Sequence, residues 1–303
     1  MTLRTFLGGL LAVALLSSMP AQADVLVLGS VNDNIRKHVD RFTPLASHLA
    51  QALTEDGITE VRITVLEDAK TMAHALRDGE VDLYFDSPLV AGLVAQWSGA
   101  QPFLRRWKRG VARYHSVIIV PTDSPIRNVS DLKGRRIGFQ DPDSTSGFLL
   151  PAGLLLDRGV PVTELEHREL PPPPDAAGYV FTGDDKNTVL WLTRGWIDAG
   201  ATDPRGLDIL RETQPGAFRV LATSIDVPRQ VVLHRADMDP DLVARLSALL
   251  TGLEHSETGR EVMHRFHKTT RFDTFPDGAE TTFAPIHALL DRLTAHGLIE
   301  AGS

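Results

Sequence analysis

The chain has 303 residues, no cysteine, and a formal charge of −8 from 39 acidic and 31 basic side chains. That balance argues against a nucleic-acid partner, which needs a basic footprint. The missing cysteines exclude disulfides, thiolate metal sites and a lipid-modified cysteine.

In chain order, residues 1–23 read as a secretory signal peptide. Arg4 gives the positive start, residues 6–16 are apolar apart from Gly8 and Gly9, and Ala21-Gln22-Ala23 is a cleavage signal that leaves Asp24 as the mature N-terminus. The apolar run is shorter than the about 20 residues a membrane span requires. The expectation is a chain released into the periplasm without a lipid anchor.

Strands and helices then alternate. Residues 25–28 read as a buried strand ending at Gly29, and 42–53 as a helix with Leu45, Leu49 and Leu53 on one face. Residues 61–65 alternate and are β-branched, a strand; 71–76 form a helix closed by Gly79; 81–85 and 116–120 are strands. A turn at 132–135 leads into another strand, 148–156 is a helix ended by Gly159, and Pro171 to Pro174 mark an extended loop. A helix at 188–192, strands at 196–201 and 230–233, and helices at 240–253 and 282–295 complete the pattern. Repeated β-α-β predicts an α/β fold of mostly parallel sheets flanked by helices. The signals repeat as two similar units, with the chain crossing between them near 117–122 and 225–230. This predicts two lobes, 24–116 plus 229–303 and 117–228, on a two-strand hinge with a ligand cleft between them.

Several segments resemble the periplasmic phosphonate/phosphite/phosphate-binding proteins of ABC transporters. Asp131-Leu132-Lys133-Gly134 followed by Ser144-Thr145-Ser146-Gly147 carries the most specific likeness. Tyr114-His115-Ser116-Val117-Ile118, with Asp123-Ser124-Pro125-Ile126 after it, looks like the family's hinge-strand motif. Phe42-Thr43-Pro44-Leu45-Ala46, Gly79-Glu80-Val81-Asp82 and Gly195-Trp196-Ile197-Asp198-Ala199-Gly200 extend it over most of the chain. The resemblance implies a type II periplasmic-binding fold, a small polar ligand, an ABC permease as partner, a monomer, and no cofactor.

The chemistry of Ser144-Thr145-Ser146 suits that reading. Ser and Thr ahead of a helix cap it, and the free N–H groups and positive dipole end make an anion site. An ordinary helix cap would look the same. The resemblance gives the turn a grip on ligand oxygens, gives Tyr114 a ligand contact, and gives Asp203 a pairing with the amino group of aminoalkyl ligands; a core aromatic and a turn acid are the plain alternatives. His115 reads as packing within the sheet.

The departures from the family pattern matter more. Gly183-Asp184-Asp185 stands where the family reads Gly-Ser-His, Ala69 where it often has an aromatic, and Asp86, before Ser87-Pro88, where it has a small residue. If Asp86 and Asp185 both face the cleft, an ionised oxyanion beside them is repelled. A protonated or amino-bearing ligand resolves the conflict, since carboxylates accept hydrogen bonds; acids turned to solvent resolve it too. The expected ligand-binding set is Tyr84, Asp86, Ser87, Tyr114, Ser144, Thr145, Ser146, Asp185 and Asp203.

Arg105-Arg106-Trp107-Lys108-Arg109 reads as a solvated basic face, the alternative being contact with an anion or a permease. His255, His264 and His267 lack the third ligand and closed geometry of a metal site. No nucleophile elbow, phosphate-binding loop, zinc-protease or dinucleotide motif occurs, so an enzyme is not expected. The same fold could instead present a cationic or zwitterionic ligand, held by Asp86, Asp185 and Asp203, to a membrane sensor kinase.

Overall fold

A computed structural model describes residues 24–301; the expected signal peptide lies outside them. The elements follow in this order: β1 (Asp24–Val31), α1 (Ile35–Ala52), β2 (Ile58–Leu66), α2 (Ala69–Arg77), β3 (Leu83–Asp86), α3 (Pro88–Ser98), β4 (Gln101–Lys108), β5 (Arg113–Tyr114), β6 (Val117–Pro121), β7 (Arg136–Phe139), α4 (Leu150–Asp157), β8 (Val162–Glu164), β9 (Ala177–Phe181), α5 (Asp185–Thr193), β10 (Ala199–Thr202), α6 (Pro204–Thr213), β11 (Phe218–Thr223), β12 (Val227–Pro228), β13 (Val231–His234), α7 (Pro240–Gly252), α8 (Glu257–Arg265), β14 (Thr269–Asp273) and α9 (Ala279–Ala295).

Local chemistry sets many boundaries. Asn34 caps α1 by accepting from the Lys37 N–H at 3.1 Å, and the helix buries Phe42, Leu45, Ala46 and Leu49, a stripe at helical spacing. Asp68 caps α2 through the Thr71 N–H at 2.7 Å, and Gly79, at φ 74°, takes the left-handed turn that ends it. α3 is apolar all round because neighbours cover it on every side: it packs between α2 and α9.

The strands form two six-stranded sheets. The first runs β14-β4-β13-β3-β1-β2, and the second β11-β6-β10-β7-β9-β8. β1 is parallel to β2 and β3, and β7 to β9 and β10, while β13 and β6 enter antiparallel. Both sheets are therefore mixed rather than purely parallel. An antiparallel ribbon of β5 and β12, pairing Tyr114 with Val227, lies between them in the chain.

α9 packs on α3 beside the first sheet and on α4 beside the second. It buries Phe283, Ile286, Leu289, Leu290 and Leu293, each worth about 1.5–3 kcal/mol of apolar burial. The approach of α4 depends on Gly153, where an added Cβ would stand 1.9 Å from Leu289 Cδ1. Arg292 closes the contact with an ion pair to Asp157 at 2.9 Å.

Several expectations need correction. Residues 117–121 are an interior strand of the second sheet, so the first crossing is the β5 segment just before them. The strand expected at 196–201 begins only at Ala199, because Gly195 at φ 69° carries the chain through a turn first. The helix expected at 148–156 begins as a single π-helical turn, Thr145–Leu149, that runs into α4. The basic run is not a solvated face either. Arg105 and Arg106 lie on β4, between β14 and β13 of the first sheet, 6% and 3% exposed. Arg105 is forked onto Asp273, and Arg106 donates to Thr269 at 3.0 Å and to Gln230 and lies over the Phe266 ring. Buried guanidinium groups persist only with such partners.

Candidate ligand-binding cleft

A cavity of about 430 Å³ opens where the carboxyl ends of the parallel strands of both sheets meet. The first sheet contributes Val31, Asn32 and Asp33 at and after the end of β1, Glu67 after β2, and Asp86 and Ser87 at and after the end of β3. The second contributes Gln140, Asp141 and Asp143 after β7, Asp185 at the start of α5, and Asp203 after β10. Tyr114 and Arg229, from the ribbon and its exit, form the wall between.

The Ser144-Thr145-Ser146 turn supplies the donors. Ser144 Oγ accepts from the Gly147 N–H at 3.0 Å and donates to Gln140 Oε1 at 3.0 Å, which fixes the turn. Thr145 and Ser146 are the first residues of the helical run, so their N–H groups have no acceptor within it. Thr145 is 3% exposed, and its hydroxyl is buried against the Tyr114 phenol, its hydrogen-bonding neighbour. Beside it lies the buried phenol of Tyr114, whose ring face carries the Arg229 guanidinium 4.3 Å from its centroid. Burial pushes the Tyr114 phenol up, while Arg229 pulls it down.

Carboxylates line the same cavity. Asp86 Oδ2 accepts from Tyr84 Oη at 2.5 Å and Oδ1 from the Ser87 N–H at 2.5 Å. Burial pushes its carboxyl up from the usual range, against the pull of those donors and of Arg106. Asp185 Oδ1 accepts from Thr202 Oγ1 at 2.8 Å and from Gln140; burial raises it, and Asp203 and Asp184 add to the rise. Asp141 and Asp143 are raised by burial first and by neighbouring acids second. Asp203 does two jobs: Oδ1 caps α6 through the Gly206 N–H at 2.8 Å, and Oδ2 lies 3.9 Å from Arg229. A cavity so built mixes hydroxyl and N–H donors with carboxyls whose proton affinity is raised, most of both from the second sheet.

The structure thus brings Asp86, Ser87, Tyr114, Ser144, Thr145, Ser146, Asp185 and Asp203 onto one cavity. Tyr84 does not line it; it is fully buried beneath Asp86 and acts on it as a donor. His115 pairs with Asp226 at 2.9 Å. Sequence reasoning missed Arg229, Gln140, Asn32, Asp33, Glu67, Asp141 and Asp143. Arg229 carried a signal, since it directly follows Val227-Pro228 at the second crossing. Asp141-Pro142-Asp143 carried another, abutting the Ser144 turn.

The family described as ABC transporter, phosphonate, periplasmic substrate-binding protein matches residues 33–277. Among curated proteins, the chain is 25% identical over 210 residues to the phosphate-import protein PhnD of Mycolicibacterium smegmatis, covering 66% of this chain and 64% of that one. It is 36% identical over 116 residues to the phosphonates-binding periplasmic protein of Escherichia coli, covering 37% and 33%. The matched stretches thus span less than two thirds of either relative. Among solved structures, XAC2383 from Xanthomonas citri, seen with a chloride ion, superposes with a TM-score of 0.82 at 30% identity over 90% of this chain and 99% of its own. The same protein is also seen with ATP. PhnD1 from Prochlorococcus marinus, in complex with methylphosphonate, shares the fold at a TM-score of 0.63 and 18% identity, over 90% of this chain and 99% of its own. With the family pattern running through both sheets and the cavity between them, this chain belongs to the periplasmic substrate-binding proteins of phosphonate ABC transporters.

Proposed function

We propose that this protein captures a phosphonate- or phosphate-like oxyanion bearing protons or an amino group and delivers it to an ABC permease. The observation that carries the reading is the Ser144-Thr145-Ser146 turn, a helix start whose first N–H groups have no acceptor within the helix and whose three residues line the cavity with Tyr114 and Arg229. In this reading the Ser144-Thr145-Ser146 turn and Arg229 hold the anionic oxygens. The raised carboxyls of Asp86, Asp141 and Asp185 take the ligand's protons or ammonium, or donate a proton of their own. That resolves the conflict between an acidic cavity and an anionic ligand. The phosphate-import and phosphonate-binding relatives, and the Xanthomonas relative seen with ATP, support phosphoryl-type chemistry.

The reading includes two lobes, 24–116 with 229–303 and 117–228, that close on the ligand as a monomer. It also includes a cleaved signal at 1–23, no lipid anchor, and no catalytic step. The ligand contacts assigned to Asp86, Ser87, Tyr114, Ser144, Thr145, Ser146, Asp185 and Asp203, with Tyr84 supporting Asp86, belong to the same proposal. A sensor kinase in place of the permease would use the same closed form.

The test is a calorimetric titration of the protein from Asp24 onward with phosphate, methylphosphonate, 2-aminoethylphosphonate and simple amines. Binding of a phosphorus oxyanion that Ser146→Ala weakens about tenfold supports the reading. Binding of amines alone, unaffected by Ser146→Ala, overturns it.

A further inference from the structure

A second cavity, of about 340 Å³, lies on the other side of Tyr114, Asp203 and Arg229, which line both. Its character is opposite to that of the cleft. Lys108, Arg109, Arg113, Arg205 and Arg229 surround it, with His115, against two carboxylates, Asp203 and Asp226. Both carboxylates are engaged already: Asp226 pairs with His115 at 2.9 Å, and Asp203 caps α6 and lies near Arg229. Arg113 donates only to the Asp226 carbonyl, at 3.0 Å. Among the described residues, Lys108, Arg109, Arg113 and Arg205 have no carboxylate partner within ion-pair distance.

A chain with a net charge of −8 thus gathers unpaired cations around one concave site. Like charges so placed repel one another, and a local field of this kind opposes the global sign only where something concentrates it. Burial chiefly, and then Arg106 and Arg229, pull the Lys108 ammonium down to about 8. Arg109 and Gly110 form a two-residue hairpin turn closed by the Lys108–Val111 pair. Arg109, at φ 57°, occupies the left-handed region that non-glycine residues seldom adopt, and its N–H is pinned to the Lys268 carbonyl at 2.9 Å. The cations come from three parts of the fold: Lys108 and Arg109 from the end of β4, Arg113 and Arg229 from the ribbon, and Arg205 from α6 beside the second sheet.

We propose that this cavity is a second anion site, distinct from the cleft, that binds a small polyvalent oxyanion of the phosphate or pyrophosphate class between Lys108, Arg109, Arg113 and Arg205. Guanidinium forks suit such oxygens, and a bound anion cancels the repulsion among the cations. It also ties the end of β4 to the start of α6 across the ribbon, so its occupancy and the relative placement of the two sheets are linked.

The experiment is a calorimetric titration with inorganic pyrophosphate at fixed ionic strength. Three proteins are compared: the wild type, the cleft variant Thr145→Val/Ser146→Ala, and the hinge variant Lys108→Gln/Arg205→Gln. The cleft variant is expected to retain a binding event that the hinge variant loses or weakens about tenfold or more. The hinge variant should melt no lower than the wild type, because it removes like-charge repulsion. Should it fail to fold, Arg109→Gln/Arg113→Gln takes its place. Loss of all pyrophosphate binding in the cleft variant, or its persistence in the hinge variants, overturns the second site and leaves the reading of the cleft intact. Sodium chloride producing the same response overturns it as well.

Discussion

The phenol of Tyr84 donates to Asp86 Oδ2 at 2.5 Å, joining a fully buried aromatic to the carboxylate at the edge of the cleft. The two are i and i+2 on β3 and so share one face of the strand. Removing the hydroxyl with Tyr84→Phe leaves the Asp86 carboxylate short of a donor in a site that water reaches poorly. Denaturant unfolding at neutral pH should show a loss of about 1–3 kcal/mol. An unchanged midpoint would mean that Asp86 is satisfied without it.

Asp86 also sets a pH dependence. Its folded value is raised, chiefly by burial, so the folded chain binds a proton that the unfolded chain has already released. Its contribution to stability is therefore complete below the ordinary carboxylate range and is lost as pH rises through the raised value. Asp86→Asn should remove this component, leaving a flatter profile of melting temperature between mildly acidic and neutral pH. A variant with the same slope as the wild type would assign the effect to other acids.

Thr145→Val deletes the hydroxyl beside the Tyr114 phenol while keeping the shape of the side chain. Stability should fall by no more than about 1 kcal/mol, the net value of one neutral hydrogen bond, here to Tyr114. Ligand affinity should fall about tenfold, the value of one good hydrogen bond in a dry site. Equal loss of stability and affinity would make the residue a packing element instead.

Gly147 is required by the Gln140 side chain, which an added Cβ would meet at 2.5 Å. Gln140 links Ser144 to Asp185. Gly147→Ala should displace it, costing about 1–3 kcal/mol of stability and weakening the ligand further than that loss explains. Titrations paired with thermal unfolding separate the two effects.

Asp273 neutralises Arg105, whose side chain is 7% exposed. Asp273→Ala strands a buried guanidinium and should destabilise by about 3–5 kcal/mol. Asp237→Ala, which removes an exposed partner of Arg235, should change stability by about 1 kcal/mol or less. Similar losses in both would contradict the contrast in burial.

The legible features in the sequence were those that local chemistry determines. Alternating apolar runs marked most strands and helices, and the Ser144-Thr145-Ser146 turn announced a donor-rich helix start whatever lay around it. The misread features depend on distant partners. Arg105 and Arg106 look like surface charge until Asp273, Gln230 and Thr269 are brought alongside by β13 and β14. Asp33, Glu67 and Asp141 sit in loops with no periodicity, and only the meeting of two sheets makes them neighbours. Tyr84 was placed at the cleft because its strand leads there; it shares the Asp86 face but lies two residues further into the sheet, where the core covers it.

The threading of the chain has a consequence for how the molecule assembles. The second sheet is built from one uninterrupted stretch, β6 through β11, whereas the first is split around it, with β13 inserted between β3 and β4. α9 then meets α3 across the whole length, as in the Gln96–Asp291 contact 195 residues apart. The second half can therefore form from one continuous stretch of chain, while the first stays open until its last segments are present. Folding should proceed from the inserted half outward, with the docking of α9 as the step that completes both.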